Sequence, residues 1–284
     1  MTAPSHRLPD TILEPMVRDA LLEDLGGYGD ISTRCAIPDG ATCSARLTAR
    51  QAGVVSGMQM AAITFRLIDP SLRVTPGRPD SSACASGDIL MSVEGSAAAI
   101  LSAERVALNF SGRMSGIASL TARFVAETRG TSARIACTRK TTPGLRAAEK
   151  LAVLHGGGVN HRFGLSDAIL LKDNHIAAAG GVRAVLEAVG RNASHMVRIG
   201  IEVDTLEQLD EVLRVGGADT VLLDNMDTDM LAEAVRQIDG RLIAEASGNM
   251  RLERIADVAA TGVDYISCGA LTHSAGVLDL GLDI

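Results

Sequence analysis

Between Asp10 and Leu25, apolar side chains stand at Ile12, Leu13, Met16, Val17, Ala20, Leu21 and Leu25. That is the spacing of one buried face of an α-helix, and Gly26-Gly27 closes it. From Ala45 to Val93 the pattern shortens to alternating segments, Ala45–Ala49, Gly53–Ser56 and Asp88–Val93, separated by glycines and prolines. One helical stretch, Met58–Leu67, interrupts them, so this part reads as a small mixed domain with an antiparallel sheet. Ala97–Glu127 is helical in pattern throughout, with Ser111-Gly112 and Ser115-Gly116 as the places where it could break. Beyond it, strands and helices alternate. The candidate strands are Ala133–Cys137, Ala168–Leu171, Arg198–Val203, Thr220–Leu223, Leu242–Ala246 and Tyr265–Cys268. The last four have midpoints about 21 to 22 residues apart, the length of one βα unit with short connections. Six such units, with room for a less obvious seventh, favour a β/α barrel over an open sheet. No glycine-rich dinucleotide fingerprint follows the first strand, which weakens the doubly wound alternative.

The polar residues of these units follow the same order. Arg139 and Lys140 come after the first strand, Lys172 after the second, Glu202 near the end of the third and Asp224 after the fourth. Glu245 reads as the end of the fifth, and Gly269 follows the sixth. In a β/α barrel the carboxyl ends of the strands form one face, so residues far apart in sequence converge on one cavity. Polar residues also appear wherever a buried strand meets solvent, and for any single position that plainer reading has equal standing. The segments Ala246-Ser247-Gly248-Asn249 and Ser267-Cys268-Gly269-Ala270 offer small residues and free backbone N–H groups leading into helices, the chemistry of a phosphate loop. Glu202 and Asp224 are suited to ribose hydroxyls, to magnesium or to a developing sugar cation.

Composition sharpens this picture. All three lysines, Lys140, Lys150 and Lys172, fall within one short stretch, while 24 arginines are spread along the chain. From Arg134 to His175 there are seven Lys/Arg against three Asp/Glu in a chain of net charge -7, a local cationic site suited to a small polyanion. Aromatics are 2% of the residues and Trp is absent. The stacking platforms of a single-strand nucleic-acid binder are therefore missing, and the negative charge argues against duplex DNA. The five cysteines show no CxxC pair and read as reduced thiols. The segment from Met1 to Arg7 has no signal-like apolar run, and no stretch is long enough to span a bilayer, so the expected location is cytoplasmic, with no membrane partner.

Three runs carry a resemblance to a known family: Thr138-Arg139-Lys140-Thr141-Thr142-Pro143-Gly144-Leu145-Arg146, Gly156-Gly157-Gly158-Val159-Asn160-His161-Arg162-Phe163-Gly164-Leu165 and Leu171-Lys172-Asp173-Asn174-His175-Ile176. With Glu23–Ile31, Glu104–Phe110, Leu222–Met226 and Gly269–Ser274, they make nearly the whole chain resemble quinolinate phosphoribosyltransferase. The resemblance implies an α/β fold of two parts. Residues 1–115 would form an N-terminal α/β sandwich completed by 274–284, and residues 116–273 an incomplete β/α barrel. It also implies a homodimer with shared active sites, in which Arg105 enters the neighbouring subunit's site. The implied reaction joins quinolinate to phosphoribosyl pyrophosphate and releases pyrophosphate and carbon dioxide, leaving nicotinate mononucleotide for NAD synthesis. Arg105, Arg139, Arg162, His161 and Lys172 would then bind quinolinate, because planar guanidinium groups match paired carboxylates. Lys140, and in part Lys172, would sit by the donor's phosphates. Glu202 and Asp224 would face the ribose and hold Mg2+, and Ser247, Gly248 and Gly269 would hold the 5-phosphate.

Other residues carry plainer readings. Lys150 reads as solvated or structural, and His155, His195 and His273 as structural. His175 is either a ligand contact or a helix cap, and Arg113 and Arg146 are second-rank site candidates. The chain departs from the family pattern at Ser111-Gly112, Cys137 and Asn249-Met250. Two rival functions remain: a relative acting on another pyridine acid such as nicotinate, and a noncatalytic sensor of pyridine or ribose phosphates. The number of cations argues against the first and the two carboxylates against the second.

Overall fold

The structure is a computed structural model and describes residues 6–284. Residues Met1 to Ser5, on which part of the leader reading rests, lie outside the described residues. Two compact units interleave along the chain: Met1–Ala122, Thr141–Gly157 and Leu271–Ile284 form one, and Arg123–Lys140 with Gly158–Ala270 form the other.

The first unit begins with helix α1 (Asp10–Leu25), which buries Leu13, Val17 and Leu21, and a short helix α2 (Ile31–Ala36) capped by the Asp30 carboxylate on the Thr33 N–H. Then come β1 (Thr42–Ala49), β2 (Gly53–Val54), α3 (Met58–Ile68), β3 (Arg73–Pro76), β4 (Ala83–Cys84), β5 (Ile89–Ser96) and the long α4 (Ala97–Ala126). Strands β1, β5 and β3 form an antiparallel sheet. Its core packs Leu47, Met91 and Val93 against Met58, Ala61 and Phe65 of α3 and Ile100, Ala103 and Ala107 of α4. A last strand, given below, completes the sheet.

Helix α4 runs unbroken past both Ser-Gly pairs. The Ser111 hydroxyl bonds back to the Ala107 carbonyl, and Gly116 is a point of close approach: a Cβ there would lie 1.9 Å from the Gly276 carbonyl oxygen. These small residues make room for a neighbouring backbone, which is why the pairs do not act as breaks.

The second unit takes β6 (Arg134–Ala136), and α5 (Arg146–His155) then returns the chain to the first unit. Next come β7 (Ile169–Leu171), α6 (Asp173–Ala179), α7 (Val182–Asn192), β8 (Ile199–Val203), α8 (Leu206–Val215), β9 (Thr220–Asp224), α9 (Thr228–Ile238), β10 (Ile243–Ser247), α10 (Ile255–Ala260) and β11 (Tyr265–Ser267). The chain ends with α11 (Ala270–His273) and β12 (Leu280–Asp283), the latter antiparallel to β1. All six expected strands are present in one parallel sheet of order β6-β11-β10-β9-β8-β7, an incomplete β/α barrel. Its edges are β6 and β7. The stretch entering β7 pairs with β6 at a single bridge, Ala136 to Val159, before it turns.

Candidate active site

Strand periodicity decides which side chains enter the barrel. With a repeat of two, alternate residues share a face, and on most strands the residues lining the interior step by two. Arg134 and Ala136, Arg198 and Gly200, Thr220 and Leu222, and Ile243 and Glu245 line one chamber of 490 Å³ toward the amino-terminal strand ends. Lys172, Glu202, Asp224, Ser247 and Ser267 line a second of 350 Å³ at the carboxyl ends, with Thr138, Arg139, Lys140 and Gly248. His161, Arg162, Leu170, Leu222 and Glu245 border both chambers. His161 and Arg162 reach the interior from the stretch that follows the Val159 bridge, not from a strand end.

Two guanidinium groups share the upper chamber. The Nε atoms of Arg139 and Arg162 are buried and have no hydrogen-bond partner among the described residues. Arg162 donates through Nη1 to the Ala168 carbonyl at 3.0 Å. Burial, and then the nearby charge of Arg139, hold the Arg162 pKa below its ordinary value, against a smaller opposing influence from Asp167. Such a pair is stabilised by an arriving anion, and above all by one with two carboxylates placed for paired hydrogen bonds. Across the chamber the Lys172 ammonium pairs with Glu202, and Asp224 accepts from the Asn225 side-chain amide at 2.6 Å.

The phosphate-loop candidate has a strained but well-fitted backbone. Gly248 has φ +87°, and a Cβ there would come within 2.3 Å of the Asn225 side-chain oxygen. Only glycine fits both constraints. Asn249 and Asn225 also take positive φ, +47° and +55°, and the Asn249 amide donates to Asn225 Oδ1 at 3.0 Å. Asparagine tolerates this region better than most residues, so Asn249 is accommodated at this departure from the family pattern.

Most of the expected site residues therefore meet in one chamber: Arg139, Lys140, His161, Arg162, Lys172, Glu202, Asp224, Ser247 and Gly248. Gly269 lies two residues beyond β11 and does not line it, and Arg105 is exposed on α4 in the first unit. Strand β10 runs to Ser247, so Glu245 does not end it but sits two residues inside. That is the site residue sequence reasoning misplaced. An acid at the inward position of an otherwise apolar strand was the available signal. Glu245 Oε1 is buried without a hydrogen-bond partner, and His161 Nε2 lies 3.6 Å away. Burial pushes the Glu245 carboxyl up to about 7; the Ser267 hydroxyl opposes the shift, the Glu202 charge adds to it and Lys172 lowers it.

The secondary candidates go elsewhere. Arg113 pairs with Glu149 at 2.8 Å and donates to the Ala275 and Thr272 carbonyls. Arg146 donates to the Thr141 hydroxyl. Lys150 is 2% exposed, so a solvated role is excluded. His175 accepts from the Lys172 backbone N–H and caps α6. His155 is buried, its Nε2 donating to the His6 carbonyl while Nδ1 accepts from the Ser56 hydroxyl. The Cys137 thiol donates to the Asn160 side-chain oxygen at 3.2 Å.

Fold and site together define a β/α-barrel enzyme with four cationic side chains on one chamber at the carboxyl ends of its strands. Two family models match in succession, the N-terminal domain of quinolinate phosphoribosyl transferase over residues 30–115 and its C-terminal domain over 117–283. The chain belongs to this family. It is 43% identical over 273 residues to a nicotinate-nucleotide pyrophosphorylase (carboxylating) of Mycobacterium leprae, covering 94% of this chain and 95% of that one. It is 42% identical over 298 residues to a mitochondrial quinolinate phosphoribosyltransferase (decarboxylating) of Nicotiana glauca, covering 99% and 84%. The crystal structure of NadC from Streptococcus pyogenes superposes with TM-score 0.95 at 37% identity, covering 99% of this chain and 98% of that one. Human nicotinic acid phosphoribosyltransferase, at 14% identity and TM-score 0.63, shares the fold alone.

Proposed function

We infer that this chain is a pentosyltransferase that moves the phosphoribosyl group of phosphoribosyl pyrophosphate to the nitrogen of quinolinate and removes the adjacent carboxylate. The products are nicotinate mononucleotide, pyrophosphate and carbon dioxide, in NAD biosynthesis. The observation that carries the reading is the pair of guanidiniums, Arg139 and Arg162, each with a buried unpartnered Nε among the described residues, on one chamber wall. A dicarboxylate satisfies both, whereas a monocarboxylate leaves one uncompensated.

In this assignment Arg139, Arg162 and His161 hold the ring carboxylates. Lys140 and Lys172 neutralise the donor's phosphates, and Ser247 and Gly248, which line the chamber, hold the 5-phosphate. Glu202 and Asp224 face the ribose, where positive charge grows as pyrophosphate departs, and act electrostatically through the sugar hydroxyls. Among the described residues no group of three or more metal-ligating side chains exists. Two carboxylates on one chamber fit a Mg2+ that arrives with the phosphates, since that ion is bound by one or two carboxylates plus substrate oxygens. Bound there, it would screen the charge of the leaving pyrophosphate. We assign the protein a homodimeric state, in which exposed Arg105 serves the neighbouring subunit's site, and a cytoplasmic location in keeping with five cysteines that form no disulfide among the described residues. Among the described residues no helix is long and apolar enough to cross a membrane.

The test is an assay of purified protein with phosphoribosyl pyrophosphate and either quinolinate or nicotinate, with and without magnesium, following nucleotide and carbon dioxide by mass spectrometry. Nicotinate mononucleotide and carbon dioxide should form from quinolinate and magnesium. Turnover of nicotinate instead would undo the arginine assignment, and undiminished activity in excess EDTA would remove the metal. Inactive Arg105→Ala and Lys172→Ala proteins should regain activity when mixed. No recovery at any mixing ratio would exclude shared sites.

A further inference from the structure

We propose that Glu245 is the acid that hands a proton to ring carbon 2 of the ribosylated pyridine as the carboxylate at that carbon leaves. The inference rests on the quinolinate reading of the upper chamber.

Placement is the first support. Glu245 faces inward at the waist between the two chambers, is 5% exposed, and has one carboxylate oxygen with no hydrogen-bond partner among the described residues. The neighbouring His161 does not satisfy it. His161 Nδ1 accepts from the Arg162 backbone N–H at 2.8 Å, which leaves the ring hydrogen of a neutral imidazole on Nε2. At 3.6 Å that atom is too far for a hydrogen bond to Glu245. A buried acid with one oxygen left without a partner is held toward its neutral form by burial, and such groups cluster where a proton is used.

Elimination is the second. The other acids on the upper chamber are engaged, Glu202 by Lys172 and Asp224 by Asn225. Glu202 also stands on a different strand from Glu245: both register with Leu222 of the strand between them, which puts their backbones two strand spacings, about 10 Å, apart. The groups facing Glu245 are His161, the Ser267 hydroxyl, Cys268, Glu202 and Lys172, with Arg139 and Arg162 on the same chamber wall. Burial dominates among these influences, so the carboxyl keeps its proton to about pH 7.

Resupply is the third. The lower chamber reaches polar groups at the amino-terminal strand ends, Arg134, Asp167, Arg198 and Thr220, of which Arg134, Asp167 and Arg198 are exposed. Water there can return a proton to Glu245 after each turnover.

The chemistry balances without a further reactant. Attachment of the ribose makes the ring nitrogen cationic, which stabilises a carbanion at the adjacent carbon. The bond from carbon 2 to its carboxylate breaks and carbon dioxide leaves as a neutral molecule. The electron pair stays on carbon 2 and takes the Glu245 proton, forming the C–H bond of nicotinate mononucleotide. Glu245 is left as a carboxylate until water reprotonates it. Without the acid, the pair on carbon 2 recaptures carbon dioxide still held in the chamber.

The experiment is a rapid-quench single turnover of the full-length enzyme with phosphoribosyl pyrophosphate, magnesium and quinolinate labelled in its 2-carboxylate, following pyrophosphate and carbon dioxide separately. Glu245→Gln should form pyrophosphate at the wild-type rate and release carbon dioxide roughly 100-fold more slowly, the scale of general acid catalysis. In the wild type the carbon dioxide step should slow as pH rises through about 7, and Glu245→Gln should lack that limb. An unchanged carbon dioxide step in the variant would overturn the proposal, as would an equal loss of both steps, which marks a positioning role. A flat pH profile in the wild type would also overturn it, and that measurement needs no variant to fold. If instead the quinolinate reading is at fault, Arg139→Ala will leave the quinolinate dependence of pyrophosphate formation untouched, a result the Glu245 experiment does not produce.

Discussion

Arg113 and the Arg139/Arg162 pair are the same residue type in opposite circumstances. Arg113, in the first unit, spends its donors on Glu149 and on the Ala275 and Thr272 carbonyls, and Glu149 in turn accepts from the Thr142 backbone N–H and hydroxyl. Arg139 and Arg162, in the second, each keep a buried Nε with no partner among the described residues. A guanidinium whose three nitrogens all have partners holds the fold together. One left partly unpaired lowers the stability of the empty protein and is repaired by a ligand. Burial alone does not separate the two cases; the hydrogen-bond inventory does.

The contrast can be broken most directly at Arg113. Arg113→Ala strands Glu149, which is 1% exposed, and should cost about 3 to 4 kcal/mol of stability, the lower part of the range for unpairing a buried ion because a quarter of Arg113 reaches solvent. Chemical denaturation would measure it, and the quinolinate requirement of the folded fraction should not change. Glu245 gives the next effect. Its folded pKa of about 7 lies above the ordinary value of 4.5, so the wild type has its full stability below about pH 4.5 and loses part of it as pH rises through about 7. Glu245→Gln has no such loss. Its stability relative to wild type should rise by up to about 3 kcal/mol between pH 4 and pH 8, and a pH-independent difference in denaturation midpoints would contradict the burial-driven shift.

Arg139→Ala should invert the Arg113 pattern. Stability should hold or rise slightly, while the quinolinate requirement increases about 30-fold or more, corresponding to about 2 kcal/mol for one lost charge-assisted contact. Initial rates with each substrate varied in turn would show whether the ribose donor is spared; equal effects on both would break the pocket assignment. The smallest effect marks the baseline. Arg214 and Asp210 form an exposed pair one helical turn apart on α8, and Arg214→Ala should leave both the melting midpoint and the kinetics unchanged within error.

Elements with a clear period are legible in the chain's own pattern. Helix α1 occupies the residues its apolar spacing marks, and the six barrel strands fall where alternation and spacing place them, because a side chain's face on a helix or strand depends on local geometry alone. Lysine clustering led to Lys140 and Lys172, which line the chamber, but the third lysine, Lys150, is buried on α5 in the other unit. Residue type signalled a special environment there without saying which one. The Ser-Gly pairs in α4 read as breaks for a related reason: a small residue in a helix is costly in isolation, and the backbone near Gly116 that makes its size useful comes from residue 276.

What the sequence determined by itself was the two-part α/β character and most of the residues that line the carboxyl-end chamber of the second unit, since these follow from periodicity, charge and local motif. Tertiary structure decided the rest. It placed His161 and Arg162 inside the barrel through the Val159 bridge, left the guanidiniums of Arg139 and Arg162 partly unpaired while satisfying that of Arg113, and set Glu245 at the waist of the lumen rather than at its rim. The physical reason is that hydrogen-bond satisfaction and desolvation are properties of what surrounds an atom, and those surroundings come from strands that meet only when the sheet curls into a barrel.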